Sequence, residues 1–203
     1  MKFSKAIKLS LILVSALIFV PQQVWACACC SETGQYRISM AKPREYQLSL
    51  MEQIRFGANA NLFTGAMSVE DVVKGLAHPA EKYGLSGALV SGAWKLSFRD
   101  GNNLGSLNLL LPAQFLNYSA DIHDGQTSAG GGPLLYKEWR FEGVVFGSGV
   151  FRAGLTAPAK YFLVFQGRGN NCDNSSDFTH WRLEISGRKA SYAFFGELAQ
   201  PKP

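Results

Sequence analysis

The chain has 203 residues, with 20 Lys and Arg against 15 Asp and Glu, and a formal charge of +5. Lys2, Lys5 and Lys8 carry three of those positive charges with no acid beside them, so the rest of the chain holds 17 basic and 15 acidic residues, a charge of only +2. That balance excludes the electrostatic footprint of a nucleic-acid or polyanion binder, and the length suits one hydrophobic core rather than two.

The three lysines precede an apolar run from Leu11 to Val20, interrupted only by Ser15 and closed by Pro21, Gln22 and Gln23. The run is too short for the roughly 20 apolar residues of a bilayer span. It has the basic and apolar regions of a secretory signal peptide. Val24-Trp25-Ala26 places a small residue at the cleavage point. The expected organisation is a signal peptide over residues 1–26 and a single all-β domain over residues 27–203, periplasmic or secreted. The mature part contains no second apolar segment of spanning length. Cleavage after Ala26 exposes Cys27, which raises the alternative of a lipid anchor; Trp25 is too large for that pattern, so plain cleavage after Ala26 or Ala28 is preferred.

Export puts Cys27, Cys29, Cys30 and Cys172 where disulfides persist. A bond between the adjacent Cys29 and Cys30 would be strained, so the expected link joins one of the first three to Cys172. Thiolates at Cys27, Cys29 and Cys30 also suit a soft ion, copper or zinc, as an alternative to disulfide formation. No other cofactor is implied.

Beyond the cysteines the dominant period is two. Tyr46, Leu48, Leu50, Ile54 and Phe56 share one parity and predict a long half-buried strand. Similar alternation recurs over 35–40, 88–98, 104–111, 115–122, 134–151, 161–166, 180–185 and 191–195, separated by turn signals such as Asp100-Gly101 and Asp124-Gly125. One short helix is predicted from Ser68, with Glu70 and Asp71 in its first turn and Val72, Val73 and Leu76 as its apolar stripe. Eight to ten strands with one helix imply an antiparallel β-barrel, with a β-sandwich as the alternative, since either hides the sheet edges.

Trp94, Trp139 and Trp181 each begin a similar segment, with an apolar residue two positions on and a basic residue between. Core-facing strands explain this pattern; the aromatic walls of a small apolar ligand pocket are the sharper reading. Asp173, Ser175, Asp177 and Glu184 imitate the spacing of a calcium loop, but Phe178 stands where glycine is required, so Asn170, Asn171, Asp173 and Asn174 are expected to satisfy a tight turn instead. No nucleophile elbow, phosphate loop, H-E-x-x-H or haem motif occurs. The expectation is an exported, non-catalytic binding or scaffold protein whose partner is an unknown small molecule or protein. Soft-metal handling by the cysteine cluster is one alternative, and a hydrolase or isomerase using His123 or His180 beside a carboxylate is the other.

Overall fold

Apolar and polar side chains alternate along most of the chain, and most such runs become strands with one face in the core. The structure, a computed structural model, describes residues 34–63, 73–129 and 131–200. The strands are β1 (Tyr36–Ala41), β2 (Asn59–Leu62), β3 (Lys82–Val90), β4 (Ala93–Asp100), β5 (Asn103–Leu110), β6 (Phe115–Ala120), β7 (Leu135–Gly149), β8 (Ala159–Gly169), β9 (Phe178–Gly187) and β10 (Ser191–Glu197). The signal peptide, the junction at Ala26, and Cys27, Cys29 and Cys30 lie outside the described residues.

The sheet order is β1-β6-β7-β5-β4-β3-β2-β10-β9-β8, and a further pairing of β8 with β7 closes it. The ring from β7 through β5, β4, β3, β2, β10 and β9 to β8 is an eight-stranded antiparallel barrel, not a sandwich. β7 makes closure possible because its 15 residues serve two neighbours on one edge. Its C-terminal part pairs with β5, Leu109 opposite Val145, and its N-terminal part pairs with β6, Asn117 opposite Trp139. β6 carries β1 on its far side, so β1, β6 and the start of β7 form a ribbon that continues past the barrel wall.

One expected strand is a helix. Residues of the run beginning at Tyr46 form α1 (Glu45–Gln53), entered after Pro43 and opened by the Arg44 backbone N–H donating to Gln47 Oε1 at 3.1 Å. The apolar residues fit both periods, and the burial decides between them: Gln47, Leu50, Met51 and Ile54 are buried, a stripe at i, i+3, i+4 and i+7, whereas Tyr46 is 56 % exposed. The helix expected from Ser68 falls mostly outside the described residues; its described end is extended, with Lys74 bridging to Ser191. Among the described residues no helix is long and apolar enough to cross a membrane.

The expected strand over 88–98 is two strands. β3 and β4 are joined at Ser91-Gly92, where both residues have positive φ, 52° and 75°, between the paired Val90 and Ala93. This is the mirror-image two-residue turn that matches strand twist. A Cβ at Gly92 would meet nothing within 4 Å, so Gly92→Ala tests backbone strain alone. It is expected to lower stability by about 1 kcal/mol, read as a lower urea midpoint at unchanged slope. No shift would mean that the turn relaxes to another form.

Candidate functional site

The three tryptophans all face the interior and are at most 1 % exposed. They are in ring contact with phenylalanines. Phe56 stands edge-on to Trp94 and Trp181 at ring-centroid distances of 6.0 and 5.2 Å, and Phe165 meets Trp94 at 5.1 Å. Trp139 packs on Phe178 at 4.6 Å and on Phe115 at 5.6 Å. Edge-to-face packing of this kind sets positive ring edges against negative ring faces. Phe56, Phe115, Phe165 and Phe178, which were not part of the predicted set, thus pack against the three tryptophans. The three indole N–H groups have no hydrogen-bond acceptor among the described residues, so this core is held by ring contacts rather than polar ones.

Polar groups gather at one mouth of the barrel, under the loop that joins β8 to β9. The loop folds back on β8 because β8 ends in glycine: a Cβ at Gly169 would sit 2.1 Å from the Asp177 carboxyl. Asn170 Oδ1 accepts from the Cys172 N–H at 2.9 Å, and Asn174 Oδ1 accepts from the Ser176 N–H at 3.1 Å, opening a 3-10 turn over Ser175–Asp177. These are the turn-satisfying roles expected of the asparagines. Asp173 and Asp177 have other work.

Lys137, on β7 among inward-facing Leu135, Trp139 and Phe141, is buried and donates to Asp177 Oδ2 at 2.6 Å and to the Cys172 carbonyl. Burial raises the Asp177 carboxyl above the ordinary carboxylate range; the Lys137 charge opposes this in part and neighbouring Asp173 adds to it. Asp173 binds three elements together. Its carboxylate accepts from Gln47 Nε2 of α1 at 2.8 Å and from Asn117 Nδ2 of β6 at 3.2 Å, and its carbonyl accepts from Tyr46 Oη at 2.9 Å. The start of β1, the N-terminus of α1 and the Cys172 loop enclose a cleft of about 1140 Å³, lined among others by Tyr36, Arg37, Ser39, Lys137, Cys172 and Asp173.

The histidines are not brought together. His123 lies in the loop after β6, where its backbone N–H donates to Asp121 Oδ1 at 2.9 Å and its ring contacts the Asp121 carbonyl at 3.1 Å. His180 is on the outside of β9, opposite Glu197 in register, with its Nδ1 at 2.8 Å from Thr179 Oγ1. No group of three or more His, Cys, Asp or Glu suited to a metal occurs among the described residues. Lys137, Gln47 and Asn117 were missed by sequence reasoning; a lysine on the core-facing parity of Leu135, Trp139 and Phe141 is the signal that marked the first of them.

The outer wall carries one further ordered feature. Ser86, Ser97, Ser106 and Ser148 lie opposite one another across β3, β4, β5 and β7, with the last two hydroxyls 2.7 Å apart. They line a groove of about 590 Å³ together with Gly84, Arg99 and Leu104. Comparisons with protein-family models, with curated proteins and with solved structures find no match to this chain, so the all-β barrel is the whole of its classification.

Proposed function

We propose that the chain is an exported, non-catalytic binding or scaffold protein that recognises a small molecule or protein on the outside of its barrel. Its N-terminus is fastened to the barrel mouth by a disulfide from Cys172 to Cys27, Cys29 or Cys30. The observation that carries the reading is how the barrel spends its side chains. Interlocked aromatic rings occupy the interior, and Lys137, Asp177, Asp173, Gln47 and Asn117 at the mouth are bonded among themselves. Recognition is left to the outer surface, where the serine row offers in-register hydroxyls on four neighbouring strands, those of Ser106 and Ser148 2.7 Å apart.

Export is supported by the basic residues, the short apolar run and the small residue at Ala26. The disulfide is supported by proximity. Cys172 shares a cleft with Tyr36, and only residues 31–35 separate Cys30 from Tyr36, a reach of roughly 20 Å when extended. Such a bond closes a loop of roughly 140 residues and constrains the unfolded chain by an amount worth about 2–5 kcal/mol.

Intact mass of the native protein, with and without reductant, tests both points. The expected masses begin at Cys27 or Cys29 and gain two hydrogens for each bond reduced, and Cys172→Ser is expected to remove one bond and lower the melting temperature. A mass that keeps residues 1–26, or that does not change on reduction, would overturn the corresponding half. Copper or zinc retained by anaerobically purified protein and lost on replacing Cys27, Cys29 and Cys30 with Ser would favour the soft-metal reading. An apolar fluorescent probe that enters the barrel and quenches Trp94, Trp139 or Trp181 would overturn recognition from outside.

A further inference from the structure

Among the described residues, closure of the barrel leaves β1 with a strand on one side only, β6, and at the edge of the sheet order. Such an edge presents unpaired backbone donors and acceptors, and proteins that do not use it blunt it with lysine, proline or a bulge. β1, with sequence Tyr-Arg-Ile-Ser-Met-Ala, has no lysine, proline or bulge, and its one charge, Arg37, alternates to the face opposite Tyr36, Ile38 and Met40. Its apolar side chains are exposed instead: Tyr36, Ile38 and Met40 are 71 %, 61 % and 65 % exposed, the first two at the rim of the mouth cleft.

We infer that β1 is a homodimerisation edge, pairing antiparallel with β1 of a second copy about a two-fold axis at Ile38. The strand is complementary to itself in this register. Residues directly opposite lie on the same face, so Ile38 meets its counterpart and Tyr36 meets Met40 of the other copy, a ring against a thioether. On the opposite face Arg37 meets Ser39, so no like charges oppose. Moving the axis one residue towards the N-terminus sets Arg37 against Arg37, which opposes two guanidinium groups at the centre. The joined edge makes one sheet from β7, β6 and β1 of each copy. The face that carries these apolar side chains continues from Ile38 to Tyr118 and from Met40 to Leu116 and Arg140, a mixture of Tyr, Met and Arg that suits interfaces. A six-residue edge buries less than the roughly 1,200 Å² of a stable complex, so the dimer is concentration-dependent.

Sedimentation equilibrium of the mature protein over a wide concentration range tests the inference. The expected result is a reversible monomer–dimer equilibrium. Ile38→Lys, at an exposed position, sets like charges on the axis and is expected to raise the dissociation constant about tenfold or more with unchanged near-UV circular dichroism. Ile38→Cys is expected to cross-link two copies under mild oxidation, and Val144→Cys, exposed on the barrel wall, is not. A monomer at every concentration, a dimer indifferent to Ile38→Lys, or equal cross-linking at both positions would overturn it, as would an edge that pairs only with an extended peptide of another protein.

Discussion

Trp94→Ala is expected to cost about 3–5 kcal/mol, the range for removing a large aromatic ring from a packed core. Trp94 is fully buried on β4 and touches Phe56, Phe141 and Phe165, which come from the segment after α1, from β7 and from β8. Its ring therefore joins β4 to strands two and three places round the barrel, and no single neighbour can move in to fill the gap without leaving another. For a domain of this size the loss corresponds to a fall of roughly 6–20 °C in melting temperature. Trp94→Phe keeps a ring for Phe165 to meet and is expected to lose less than half as much. If Trp94→Ala unfolds within about 1 kcal/mol of the parent, the interior is not the close-packed cluster described, and a hollow barrel with room for a ligand becomes the better account.

The barrel was legible in the sequence because most of its strands are half-buried, and a half-buried strand must alternate. Helix α1 was not, since Leu50 and Ile54 satisfy the period of two while Gln47, Leu50, Met51 and Ile54 satisfy the helical one. Only the identity of what packs on them selects the second. β2 was missed because four residues, Asn-Ala-Asn-Leu, are too few to show a period. Closure was hidden for a different reason. It depends on β7 being long enough to pair with both β5 and β6 along one edge, and that is a property of three segments together. The same holds for the mouth: Asn170 and Asn174 act within two residues and could be read locally, whereas Asp173 acts across 126 residues to Gln47 and 56 to Asn117.

Lys137→Met is expected to lower stability by about 3 kcal/mol at neutral pH, because it leaves Asp177 at the mouth without its counter-charge. The Lys137 side chain is 3 % exposed and that of Asp177 14 %, so water screens the pair little. The pH dependence identifies the cause. Burial already lifts the Asp177 carboxyl above its ordinary value despite Lys137. A carboxyl raised in the fold binds its proton more tightly there than in the unfolded chain, so its contribution to stability is present below the ordinary carboxylate range and is lost as pH rises through the raised value. Removing Lys137 takes away the influence that lowers it, so the loss extends to higher pH. Urea unfolding should therefore find Lys137→Met closest to the parent in acid and furthest from it near neutrality. Asp177→Asn, which strands the lysine instead, should remain destabilised across the same range. The double variant Lys137→Met with Asp177→Asn should recover part of the loss, since it buries no unpaired charge. Equal losses at acid and neutral pH, or a double variant worse than the sum of the two, would show that the lysine acts through its bond to the Cys172 carbonyl rather than through Asp177.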